Sequence, residues 1–89
     1  MTLGPVGEKM KSKLNEKFSP VKLQVVDESA RHAGHAGANP LGESHFHVEI
    51  VADAFAGQSL LACHRMINEV LADELAERVH ALTISAKAP

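Results

Sequence analysis

Leu3, Val6, Met10, Leu14 and Phe18 recur at steps of three and four, the apolar stripe of an amphipathic helix. Gly4, Pro5 and Gly7 interrupt its start and Pro20 cannot sit inside a helix, so the pattern predicts a helix from about Val6 to Phe18. The period then changes. Val21, Leu23 and Val25 alternate with Lys22 and Gln24, which predicts a strand with one buried face. From Asp27 to Ser44 the chain carries Gly34, Gly37, Gly42 and Pro40, a run too irregular for a helix and longer than most connections. A second alternation sets Phe46, Val48, Ile50 and Ala52 against His45, His47, Glu49 and Val51, a strand expected to form a hairpin with the first. Ser59 is placed to cap a helix whose apolar face holds Leu60, Cys63, Ile67, Val70, Leu71 and Leu75, with a split near Ala72. Leu82, Ile84 and Ala86 close the chain as a third strand, which a right-handed crossover would lay parallel to the second.

This order, αββααβ, predicts a two-layer α+β domain: a three-stranded mixed sheet with helices on one face. It is expected to be a single domain over residues 1–89, with residues 1–5 disordered and 27–44 a long inter-strand loop. Composition narrows what such a domain can do. Its 89 residues, 45% hydrophobic and 22% charged, bury one modest core and leave little room for a large catalytic cleft. The formal charge is −2, so any nucleic-acid role must rest on a local patch. Cys63, the one cysteine, cannot close an intrachain disulfide, which suits a reducing compartment. The start of the chain has no apolar leader or arginine-rich amphipathic stretch, and no run approaches membrane-spanning length; a cytoplasmic location without membrane contact is expected.

Four of the six histidines fall within residues 28–50. His32 and His35 lie in the loop, and by spacing alone two histidines make no metal site. The alternation places His45 and His47 on the polar face of the second strand, facing solvent. His80 shares parity with Leu82 and Ile84, as a capping or half-buried structural histidine would. Cys63, on the face of Leu60 and Ile67, reads as a small buried hydrophobe. Adjacent helical residues point about 100° apart, so Cys63 and His64 form no nucleophile–base pair. Asp73-Glu74 reads as the solvated side of a helix, and with no paired carboxylates or Ser/His/Asp ordering the chain is expected to be no enzyme and to take no small-molecule substrate. Lys9, Lys13 and Lys17 form a basic stripe at steps of four, which Glu8, Lys11 and Glu16 turn into an ordinary mixed-charge surface. Beyond Ser59 only Arg65 and Arg78 stand as cations against Glu69, Asp73, Glu74 and Glu77.

Five strings together resemble the BolA family across nearly the whole chain: Glu28-Ser29-x-x-His32, Glu43-Ser44-His45-Phe46, Asp53-x-Phe55-x-Gly57, His64-Arg65 and Val79-His80-Ala81-Leu82. Their order and spacing make the match specific. The resemblance implies a fold like the class II KH domain and a partnership with a monothiol glutaredoxin, with which family members share a [2Fe–2S] cluster completed by the glutaredoxin's glutathione. Bacterial members are also described as DNA-binding transcriptional regulators. Carried over by position, the cluster ligands become His80 and His32, with His35 as the substitute in the loop; contacts to DNA would fall to Lys9, Lys13, Lys17 and Arg65. Alone, such a chain is expected to be a cofactor-free monomer. Cys63 departs from the family pattern, standing where the first arginine of Arg-His-Arg belongs and so removing a cation from the region that would meet nucleic acid. The strings GPVG and GHAG match the GxxG of KH domains only formally, since neither joins two helices.

Overall fold

A proline suits the first turn of a helix, where its missing N–H costs no hydrogen bond, and α1 of the computed structural model runs Pro5–Phe18 from that point. The structure describes residues 3–29, 44–77 and 79–89. Ahead of the helix, Leu3 packs against the core, and the Glu8 amide donates to the Gly4 carbonyl at 3.0 Å. The helix stops at Ser19, whose φ of 45° is left-handed and whose amide donates to the Asn15 carbonyl. Met10, Leu14 and Phe18 are buried, as the stripe predicts. Gly7 is buried too, and a Cβ there would lie 3.2 Å from Phe46 Cε1; its absence lets α1 settle onto the sheet.

Strands β1 (Lys22–Asp27), β2 (His45–Val51) and β3 (Ala81–Lys87) form one sheet in the order β1-β2-β3. β1 runs antiparallel to β2 with Leu23 opposite Ile50, and β3 runs parallel to it with Phe46 beside Leu82 and Val48 beside Ile84. Parity therefore assembles Phe46, Val48, Ile50 and Ala52 into the buried face of the central strand. A 3-10 turn at Asp53–Phe55 leads to Gly57, whose φ of 74° favours glycine. The Phe55 ring packs 5.1 Å from that of Phe18. The Asp53-x-Phe55-x-Gly57 string is thus architectural, an aromatic plug followed by a left-handed turn. Ser59 then caps α2 (Leu60–Val70), its Oγ accepting from the Ala62 amide at 3.1 Å.

The helical run divides at Leu71 into α2 and α3 (Ala72–Glu77), close to the expected split. Cys63, Ile67 and Leu71 face the core, and removing side chains the size of Ile67 or Leu71 from water is worth about 1.5–3 kcal/mol each. Leu60 departs from the expected apolar face: it is 71% exposed, because the buried stripe of α2 starts one turn later at Cys63.

Glu74 departs from its expected solvated position. It is 5% exposed, and Lys13 of α1 donates to both its carboxylate oxygens at 2.8 and 2.9 Å. Lys9 Nζ lies 3.8 Å from the same carboxylate, and Asp73 stands 3.9 Å from Lys13. The hydrogen bond to Glu74 holds the Lys13 ammonium pKa above its ordinary 10.5. Two of the three lysines in the basic stripe therefore serve to clamp α1 to α3.

Breaking one side of a buried pair strands the other charge, whereas replacing both with apolar groups does not. Lys13→Met should lower the thermal midpoint, and Lys13→Met/Glu74→Leu should recover most of the loss; a single variant as stable as the parent would show that the clamp contributes nothing. Since folding raises the Lys13 pKa, this contribution is complete below the ordinary value of 10.5 and fades as the pH rises through the folded value, so the stability gap between parent and Lys13→Met should close in strong alkali. Nothing lies within 4 Å of a Cβ built on Gly57, so Gly57→Ala should cost about 1–2 kcal/mol in denaturant unfolding from backbone conformation alone.

Candidate functional site

Parallel pairing starts β2 and β3 at the same end of the sheet, with His45 beside Ala81. The residues just before these strands, Ser44 and His80, are thereby brought together from distant parts of the chain. The Ser44 carbonyl accepts from the His80 amide at 2.7 Å and the Ala81 amide at 3.1 Å. Antiparallel β1 ends here too, with the Glu28 amide donating to the His45 carbonyl at 2.7 Å. The next residue, Ser29, is turned inward as its amide donates to Asp27 Oδ1 at 2.9 Å.

Ser29 Oγ accepts from the Ser44 amide at 2.9 Å and the His45 amide at 3.3 Å, while Ser44 Oγ sits 2.9 Å from His45 Nδ1. Ser29, Ser44 and His45 are all buried, which these bonds make tolerable. The His45 ring centroid lies 5.4 Å from that of His80, the planes inclined at 50°. His80 itself is exposed, with its main chain pinned and its imidazole at the surface. The expectation of a half-buried His80 is corrected: it precedes β3 and so escapes the parity of Leu82 and Ile84.

His45 overturns the expectation of a solvent-facing side chain, being 7% exposed. Alternation tells which side of a strand a residue occupies, and here Ser29 Oγ, Ser44 Oγ and the His80 ring lie against His45 on that side. His47, one step further on the same face, is half-buried, with Nδ1 2.7 Å from Thr83 Oγ1. Cys63 is buried as expected. Lys17 and Arg65 are exposed and, among the described residues, unpaired, whereas Lys9 and Lys13 converge on Glu74. His32 and His35 lie outside the described residues. Among the described residues no group of three or more His, Cys, Asp or Glu is arranged to hold a metal ion.

Ser29, Ser44 and His45 are the site residues that pattern alone missed, and the signal for them was the pair of strings Glu28-Ser29 and Glu43-Ser44-His45. Ser29→Ala would remove the Oγ that accepts from the Ser44 and His45 amides, and should cost about 1–3 kcal/mol in denaturant unfolding. An unchanged midpoint would show that the serine bridge carries no load.

A family model described as BolA-like protein matches residues 14–89. The chain is 46% identical over 93 residues to SufE-like protein 1, chloroplastic/mitochondrial, of Arabidopsis thaliana, a match spanning 100% of this chain but 25% of that protein. It is 48% identical over 79 residues to the DNA-binding transcriptional regulator BolA of Escherichia coli, covering 89% of this chain and 71% of that one. Among solved structures, the BolA domain of SufE1 from Arabidopsis thaliana superposes with a TM-score of 0.90 at 46% identity, covering 99% of this chain and 96% of that domain.

Proposed function

The chain belongs to the BolA-like family, and on that footing we propose that it is a non-enzymatic adaptor that binds a monothiol glutaredoxin and lends His80 and His32 to a [2Fe–2S] cluster shared between the two proteins. The observation that supports this reading most is His80, an exposed imidazole on a main chain fixed by the Ser44 carbonyl at 2.7 Å. Ser44 and Ser29 bracket residues 30–43, which carry His32 and His35.

The donor chemistry fits. A [2Fe–2S] cluster takes four ligands, normally thiolates, and imidazoles replace two of them in Rieske-type centres. Cys63 is buried in the core, so this chain has an imidazole to offer and no accessible thiol. The glutaredoxin and its glutathione would supply the thiolate half. His32 follows Ser29 by three residues, a covalent separation of at most about 11 Å between Cα atoms, and His35 by six, at most about 22 Å. Both lie within covalent reach of the sheet end; the resemblance to the family favours His32 as the second donor, with His35 as its substitute. When bound, the cluster would give the pair a role in iron–sulfur delivery or in iron and redox regulation.

Adding the chain to a cluster-loaded monothiol glutaredoxin should change the visible absorption and circular dichroism. His80→Ala should abolish the change, and His32→Ala should weaken it more than His35→Ala. A spectrum that the chain leaves unaltered, or that His80→Ala leaves as in the parent, would refute the ligand assignment.

The name of the Escherichia coli relative favours a second reading, a DNA-binding regulator that uses Lys9, Lys13, Lys17 and Arg65. With Lys9 and Lys13 drawn to Glu74, the phosphate contacts would rest chiefly on Lys17 and Arg65. In that case binding should be sequence-selective at physiological salt, and Lys17→Ala or Arg65→Ala should each lower the log-salt slope by about one. Affinity no greater than for random DNA would exclude it.

A further inference from the structure

An exposed imidazole turns about its two side-chain bonds unless something holds it. Among the described residues a single ring contacts His80, that of His45, at 5.4 Å between centroids. His45 is held on several sides: its amide donates to Ser29 Oγ at 3.3 Å, its carbonyl accepts from the Glu28 amide at 2.7 Å, and its Nδ1 lies 2.9 Å from Ser44 Oγ. A fixed, buried ring is therefore set against one that, among the described residues, is otherwise anchored through its main chain.

We propose that His45 is a positioning residue for His80: its immobilised ring restricts the orientation in which the His80 imidazole meets iron. This rests on the reading of His80 as a cluster ligand. Metal-binding histidines depend on neighbouring groups for their orientation, and loss of such a group typically weakens the site by 10–100-fold. Ser44 links the two rings, since its hydroxyl engages His45 Nδ1 while its carbonyl engages the His80 amide. A displacement at Ser44 thus moves the support and the ligand together.

The test compares the full chain with His45→Ala and His45→Phe. Phenylalanine keeps a ring beside His80 and alanine does not. Two readouts serve: the His80 ring resonances in the metal-free protein, and the lifetime of the visible circular dichroism band formed with a cluster-loaded monothiol glutaredoxin under chelator challenge. His45→Ala should shift the His80 resonances towards those of a freely rotating histidine and shorten the lifetime about tenfold; His45→Phe should restore most of both. Parent-like behaviour of His45→Ala in both readouts would overturn the proposal. So would a His45→Phe protein that restores the resonances yet loses the cluster as fast as His45→Ala, which would make His45 a ligand. If the parent itself forms no cluster signal, the ligand reading fails and this inference falls with it, whereas a parent signal indifferent to both variants defeats this inference alone.

Discussion

The carbonyl oxygen of Ser44 accepts from two successive amides, those of His80 and Ala81, and there the parallel pairing of β2 with β3 begins. That junction sets the register of the sheet. It places Phe46 beside Leu82 and Val48 beside Ile84, so the buried face of the central strand continues onto its neighbour. A slip of one residue would turn that face to solvent. The same junction draws the end of β1 in through Ser29, whose hydroxyl accepts from the successive amides of Ser44 and His45. Core packing and the placement of His80 thus depend on one set of buried polar contacts.

A second constraint reaches His80 from the helical layer. Glu74 binds Lys13 through its side chain, while its carbonyl accepts from the Val79 amide at 2.9 Å. Val79 is buried and immediately precedes His80. One residue of α3 therefore joins α1 to the turn that delivers His80 to the sheet end. Electrostatic pairing in the helices and hydrogen bonding at the serines thus act on the same short segment, through the consecutive amides of Val79, His80 and Ala81.

Local features were legible in the sequence: the stripe of Met10, Leu14 and Phe18, the alternation of Phe46, Val48 and Ile50, the cap at Ser59 and the burial of Cys63. Each follows from periodicity or from chemistry within a few residues. What escaped depends on partners far along the chain. Glu74 looks solvated until Lys13, 61 positions away, is placed beside it. His45 looks exposed until the parallel register sets His80 against it. Periodicity also misjudged His80, which only the resemblance to a family singled out. Leu60 shows the opposite limit, an apolar position in phase with the core but one turn short of it.

Taken together, the sheet end is a firm mount for one exposed imidazole, built by a chain whose only thiol is shut in the core. That combination suits a protein that completes a metal centre with a partner. The most direct measurement is pulsed electron paramagnetic resonance of the reduced cluster, formed from unlabelled glutaredoxin and a chain whose histidines carry nitrogen-15. Strong nitrogen-15 hyperfine coupling that is lost or reduced in His80→Ala is the result this account predicts. A reduced cluster that forms in the mixture yet shows no coupling to the labelled histidines would contradict it.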